Sequence, residues 1–351
     1  EVIDWIEHWS DNEVQQFVDQ LPYKIDLFAF GNLWMTDTTV VNKISFLKKT
    51  YPGTKFLLGG PKPYQMDYGA DCMVFGYSEK ALIPVLDWMF DGGEQPKGKF
   101  PEWAPNSLLV DANHMYAGLD IAKFDCEYHP HDFIEHHEAL TLETSRGCRF
   151  KCKFCSYPLL GRSSKDNKYL KSQDSIFREM KYNYENFNTK NYIFLCDTFN
   201  ETTDKLLDIK NVIDTLKIKL RFFSYLRIDL IHRYPEQISI LRDMGVSGAH
   251  FGIESLNHEA AKSIGKGLHT DKVLNTLEKC KKSWGNDTII HSGFIVGLPN
   301  DTVETVDEWS GWLERNETPL TSWSLKALNM NMKADDKLSY QSEFDINAEK
   351  Y

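Results

Sequence analysis

The stretch Ala139-Leu-Thr-Leu-Glu-Thr-Ser-Arg-Gly-Cys-Arg-Phe-Lys-Cys-Lys-Phe-Cys155 runs from an apolar segment straight into three closely spaced cysteines. Residues 140–145 read as a strand, and they open a series in which strands and helices alternate. Further strands are expected at 192–196, 222–226, 249–253, 289–296 and 322–327. Helical patterns fall near 173–186, 202–216, 235–244, 270–284 and 302–315. Six strands are two short of the eight that close a complete barrel, so the expected architecture is a partial, open (β/α)6 barrel of the TIM type.

Upstream the pattern is α/β again, but built differently. Residues 12–20 and 37–50 read as helices, with strands at 26–31, 55–60 and 71–76. A helix over 78–90 follows, with Ser78 placed to cap its first turn. Short apolar strands alternating with helices imply a parallel sheet covered on both faces, a Rossmann-like arrangement. The expected organisation is a Rossmann-like domain over 1–92, a linker over 93–138, the barrel over 139–330 and an extension over 331–351. The linker carries Tyr128-His-Pro-His131 and Glu135-His-His137, which read as loop histidines before they read as a metal site.

The chain has 351 residues, 42% apolar and 26% charged, and a net charge of −11. Lysines and arginines are scattered, which argues against a nucleic-acid partner and favours a small-molecule or peptide substrate. No apolar run approaches the roughly 18 residues of a membrane span, and no signal peptide is visible, so a cytoplasmic location is expected. Seven cysteines, an odd number with three clustered, do not form a secreted disulfide framework. Metal ligation accounts better for Cys148, Cys152 and Cys155.

Three thiolates at this spacing can wrap one side of an iron–sulfur cubane, each binding one iron. An electron carrier normally uses four cysteines, so three leave one iron open. A structural zinc site would want a fourth Cys or His. The histidines of 129–137 keep that alternative open, and with it a non-catalytic iron–sulfur or zinc module.

Cys148-x3-Cys152-x2-Cys155, with Phe154 just before the last cysteine, resembles the signature of radical S-adenosylmethionine (radical SAM) enzymes. The resemblance implies a [4Fe–4S] cluster on these three cysteines, with S-adenosylmethionine on the open iron. Reductive cleavage then gives a 5′-deoxyadenosyl radical, with electrons from a flavodoxin or ferredoxin. Later strand ends resemble other segments of the family. Phe194-Leu-Cys-Asp-Thr-Phe-Asn200 implies that Asp197 meets the methionyl amine, although Asp197 also suits a helix N-cap. Ser224-Tyr-Leu-Arg-Ile-Asp229 implies cofactor contacts from Ser224 and Arg227, the latter pairing with the methionyl carboxylate. Phe251-Gly-Ile-Glu-Ser255 places Glu254 near the ribose or amine, with an ion pair to Arg227 or Lys266 as its other use. Gly293, Ile295 and Gly297 resemble the adenine-contacting Gly-x-Ile-x-Gly segment, while Asn300 stands where the family often has an acid. Cys196, beside this site, is a candidate catalytic thiol whose ordinary role would be packing.

Residues 25–90 resemble the cobalamin-binding domain that precedes the barrel in one subclass. Gly31, Gly59, Gly60 and Gly76 would let a corrin approach the backbone, and that domain's first strand would lie before Glu1. The Asp-x-His-x-x-Gly motif that supplies an axial histidine in some cobalamin proteins is absent. The implied activity is cobalamin-dependent methylation of an unactivated centre. Its rival is cobalamin-free rearrangement, oxidation or carbon–carbon bond formation beside a vestigial Rossmann domain.

Overall fold

The computed structural model describes residues 6–31, 35–60, 66–112, 120–129, 132, 134–135, 137–155, 169–314, 318–328 and 342–347. Two compact units divide the chain, Glu1–Leu119 and Asp120–Tyr351.

The first unit holds four parallel strands in sequential order: β1 (Leu27–Gly31), β2 (Lys55–Gly60), β3 (Cys72–Phe75) and β4 (Leu108–Asp111). Among the described residues three α-helices accompany them, α1 (Asp11–Asp19), α2 (Asp37–Thr50) and α3 (Glu79–Phe90). Helix α1 opens with a capping box in which Ser10 and Glu13 satisfy each other's backbone amides. Ser78 does not cap α3: its backbone is already helical, and its hydroxyl makes no cap bond. The larger difference is β4, which falls inside the expected linker. Leu108, Leu109 and Val110 are buried in the sheet, and Leu108 packs with Cys72, Val74 and Val85. The strand follows a stretch rich in Gly and Pro, from Gly92 to Pro105, and so reads as part of the linker.

The second unit is a six-stranded parallel sheet, again in sequential order: β5 (Ala139–Leu142), β6 (Asn191–Phe194), β7 (Arg221–Leu226), β8 (Val246–Glu254), β9 (Ile289–Val296) and β10 (Ser322–Ala327). Among the described residues no pairing joins β10 to β5, so the barrel is open. Between the strands run α4 (Gln173–Phe187), α5 (Thr203–Leu216), α6 (Ile228–Arg233), α7 (Gln237–Met244), α8 (His258–Ser263), α9 (Thr270–Trp284) and α10 (Val303–Glu314). Alternate residues of each strand enter one large core with these helices. Phe194, Phe222, Phe251, Ile290 and Phe294 are all fully buried there. The intervening residues, such as Tyr225, His250, His291 and Gly293, form the opposite, inner face of the sheet.

Candidate active site

The cysteine loop leaves β5 and is pinned at its stem. Ser145 bridges Leu170, the Arg146 amide donates to the Tyr169 carbonyl, and the Lys171 amide donates to the Thr144 carbonyl. Arg146 closes a two-pronged ion pair with Glu143, both contacts at 2.6 Å. Cys148, Cys152 and Cys155 all lie partly exposed on this loop. Its far side is held by the carbonyl of Ile264, which accepts from the Lys153 amide. A segment near residue 344 also meets it: the Phe344 amide donates to the Lys153 carbonyl, and Lys153 pairs with Glu343 at 3.4 Å.

Two sulfurs meet polar side chains from other strand ends. Cys148 Sγ lies 3.3 Å from Thr198 Oγ1, and Cys152 Sγ accepts from Arg227 Nη1 at 3.3 Å. Burial pushes the Cys148 thiol up, while the Thr198 hydroxyl and the Phe150 amide pull it the other way. Arg227 is gripped on three sides. Asp229 takes two of its nitrogens at 3.0 and 2.7 Å, and Phe150 lies under the guanidinium at 4.0 Å. Burial works against its charge, the Asp229 carboxylate outweighs burial, and the net shift is upward.

A buried polar network sets the heights of these groups. Asn200, fully buried, accepts from the Arg227 amide at 2.8 Å and donates to the Arg227 carbonyl and to Gln237. Lys205, on α5, donates to Ser145 Oγ and to the Thr198 carbonyl, and lies 3.8 Å from Glu201. One lysine thereby ties the base of the cysteine loop to the end of β6. Asp197 sits partly buried close enough to Cys148 to oppose its ionisation. It is not the helix cap, because Thr202 caps α5 through the Lys205 amide.

Glu254 occupies left-handed backbone, φ +69°, at a bulge where β8 meets β9. Such a conformation is unfavourable for a residue with a side chain and persists only where the surroundings impose it. Its carboxylate pairs with Lys266 at 2.9 Å rather than with Arg227, and Lys266 also donates to the Gly252 carbonyl. A Cβ on Gly252 would meet Glu254 Oε1 at 2.6 Å and Lys266 Nζ at 2.8 Å, so a larger residue there would push the ends of this ion pair aside. Lys266 stands over the Phe154 ring at 5.8 Å, and Phe154 shares an apolar cluster with Ile295, Ile264 and Leu298. Gly293 lies on the inner face of β9, and Gly297 follows that strand with φ +88°. Asn300 is also left-handed, and its carbonyl accepts from Asn257 at 2.9 Å.

The structure therefore gathers Cys148, Cys152, Phe154, Asp197, Arg227, Glu254 and Ile295 around one loop. Ser224 and Cys196 are not brought to it. Both belong to the rows that face the helices, Ser224 with Phe222 and Leu226, Cys196 with Phe194. Cys196 Sγ is fully buried and hydrogen-bonded to Thr144, a packing role. Of the loop histidines, His137 is exposed and pairs with Glu135, while His131 and His136 lie outside the described residues. Among the described residues no three Cys, His, Asp or Glu side chains converge on a single ion.

Residues 142–313 match the model of the Radical SAM superfamily. An uncharacterized methyltransferase of Pyrococcus horikoshii is 28% identical over 254 residues, 68% of this chain and 51% of the relative. The bacteriochlorophyllide d C-8(2)-methyltransferase of Chlorobaculum tepidum is 23% identical over 75% of this chain and 58% of its own length. The chain thus spans little more than half the length of these curated relatives. Among solved structures, the radical S-adenosylmethionine methyltransferase TsrM from Kitasatospora setae, with tryptophan and a SAM analog bound, superposes with TM-score 0.67. That match has 14% identity and covers 99% of this chain and 68% of TsrM. TsrM with cobalamin and a [4Fe–4S] cluster bound gives TM-score 0.64 at 15% identity, covering 92% of this chain and 64% of TsrM. Six parallel strands in order, a three-cysteine loop after the first of them and the family match agree on a radical SAM domain over residues 142–313.

Proposed function

We propose that the protein is a cobalamin-dependent radical SAM methyltransferase acting on an unactivated centre of a small molecule or peptide, with a flavodoxin- or ferredoxin-type reductant. The observation that carries the radical part is the cysteine loop, three partly exposed thiols that two neighbouring strand ends meet with polar side chains. A cubane asks for one thiol per iron and hydrogen-bond donors at the sulfurs. Cys148, Cys152 and Cys155 fit as its ligands. When bound, the cluster and S-adenosylmethionine supply a 5′-deoxyadenosyl radical and cobalamin supplies a transferable methyl group.

The chain's own residues hold and orient. Asp197 is placed to meet an amine, and the Glu254–Lys266 pair offers both a carboxylate and an ammonium to a ribose or amino acid moiety. Arg227 is already occupied by Asp229, Phe150 and Cys152, so its work is directed to the cluster sulfur more than to a free carboxylate. Gly293 leaves room for a flat ring against β9. In the first unit, β1, β2 and β3 all finish in or just before glycine: Gly31, Gly59-Gly60 and Gly76. A Cβ on Gly31 would have nothing within 4 Å among the described residues, which suits the close backbone approach a corrin would need. The methyltransferase reading rests on this feature together with the relatives' names.

Anaerobic reconstitution tests it. Incubation with S-adenosylmethionine and dithionite should yield 5′-deoxyadenosine, and Cys148→Ala should abolish it along with three to four irons per chain. A zinc content instead of iron, or equal 5′-deoxyadenosine from Cys148→Ala, would overturn the radical assignment. A corrinoid absorption spectrum that does not survive desalting would remove the cobalamin part alone.

A further inference from the structure

The inner face of the open barrel carries a second ordered array, one rung away from the glycine that would meet the adenine. Strand registers place Tyr225 opposite His250, His250 opposite His291, and His291 opposite Ser322. Four residues from four adjacent strands therefore form a single rung. Their rings touch in sequence: Tyr225 to His250 at 5.1 Å, His250 to His291 at 4.9 Å, with Phe223 against Tyr225 at 5.7 Å. The next rung is nearly bare, Gly252 opposite Gly293 opposite Ser324. A Cβ on Gly293 would come 3.4 Å from His250 Nε2, so the bare rung and the aromatic rung are contiguous. Successive inner-face residues are about 7 Å apart along a strand, the thickness of two stacked rings.

The side chains on this rung are accounted for unevenly. His291 has both nitrogens engaged, Nδ1 with Ser322 Oγ at 2.8 Å and Nε2 with Ser324 Oγ at 3.4 Å. His250 has no hydrogen bond to any described group on either nitrogen, and Tyr225 is 42% exposed. Burial, followed by His291, Lys266 and Lys326, pushes His250 down to about 4, and burial also lowers His291. Both imidazoles are therefore neutral near pH 7, each with one donor and one acceptor. Lys266 and Lys326 lie close enough to disfavour a cationic guest, and the charge of Lys266 is already taken by Glu254.

We infer that the rung Tyr225–His250–His291–Ser322 is the surface that takes the substrate, and that it takes a flat, uncharged aromatic or heteroaromatic ring bearing a hydrogen-bonding group for His250. This rests on the radical SAM reading of the same unit. Ring faces and edges offered by Phe223, Tyr225 and the two imidazoles reward a planar partner over an aliphatic one of equal size. The free edge of His250 fixes its orientation. A ring lying there would abut the rung of Gly252 and Gly293, within reach of a radical generated beside them.

Three neutral or charged probes separate this from its rivals. Calorimetry on the reconstituted protein with S-adenosylmethionine would use indole, cyclohexanol and benzoate. Indole should bind about ten-fold more tightly than either of the others, and Tyr225→Ala and His250→Ala should each weaken it about five-fold, as the loss of one ring contact implies. Tyr225→Phe, which keeps the ring, should bind indole within about two-fold of wild type. Melting temperatures identify any variant lost to misfolding, and Tyr225→Phe against Tyr225→Ala remains decisive if His250→Ala fails to fold. Benzoate binding most tightly would make this an anion site, and cyclohexanol equalling indole would make it merely apolar. Either result overturns the inference, as does an absence of indole binding in protein that does form 5′-deoxyadenosine. If wild type forms no 5′-deoxyadenosine, the underlying reading falls and takes this inference with it.

Discussion

The two parallel sheets finish their strands in opposite ways. In the first unit the carboxyl ends carry Gly31, Gly60 and Gly76, and the core behind them is apolar, with Phe56, Leu58, Met73 and Val74 fully or almost fully buried. In the second unit the corresponding ends carry Asp197 to Glu201, Arg227 and Glu254, much of it charged and deeply buried. Both sheets use the edge at which open α/β folds bind ligands. One offers bare backbone, and shape does the selecting. The other offers side chains held by other side chains, and charge and hydrogen bonding do the selecting.

Substitutions should therefore be felt unequally. The largest effect is expected for Lys205→Met, which leaves Glu201 buried without its cation and unties Ser145 from Thr198. Breaking such a pair costs about 3 kcal/mol, readable by denaturant unfolding, and adding Glu201→Gln should recover part of it. Gly252→Ala comes next. The added methyl pushes aside the flexible ends of the Glu254–Lys266 pair, so S-adenosylmethionine affinity should fall by about five-fold with little loss of stability. Gly31→Ala, its counterpart in the first unit, meets nothing and should stay within about 0.5 kcal/mol of wild type, changing only corrinoid binding. A Gly31→Ala variant as damaged as Gly252→Ala would break the contrast between the sheets.

Arg227→Gln removes a cation and a hydrogen bond from Cys152. It should lower the cluster's reduction potential, measured by electron paramagnetic resonance during a redox titration. A pH-dependent effect is confined to acid. His250 titrates at about 4 when folded and near 6.5 when unfolded, so between those values the unfolded chain binds more protons. Its neutral burial favours folding above about 6.5, and that contribution is lost as pH falls towards 4. His250→Gln should flatten the fall in melting temperature over that window.

Much of this was legible in the residues. Strands β9 and β10 fall at the expected positions, because long apolar alternations bounded by turns leave little freedom. β4 was hidden by the Gly- and Pro-rich stretch that precedes it, from Gly92 to Pro105. Among site residues, the cysteines, Asp197, Arg227 and Glu254 stand out by chemical type at strand ends. Cys196 and Ser224 stand out for the same reason, while strand parity turns both towards the helices. Cys196 is two residues from Phe194, and Ser224 lies midway between Phe222 and Leu226, all facing the helices. Asn200, Lys205 and Gly252 carry no such flag. Their importance comes from partners distant in sequence, which only the folded chain identifies.

The contact between Lys153 and the segment at Glu343 and Phe344 has a consequence in time. A ribosome delivers the cysteine loop long before it delivers residue 344, and the intervening barrel strands must pair before that segment can arrive. Until then the loop lacks one of its supports. The cysteine loop is thus fully braced only once residues 343 and 344 have been made and have docked on Lys153.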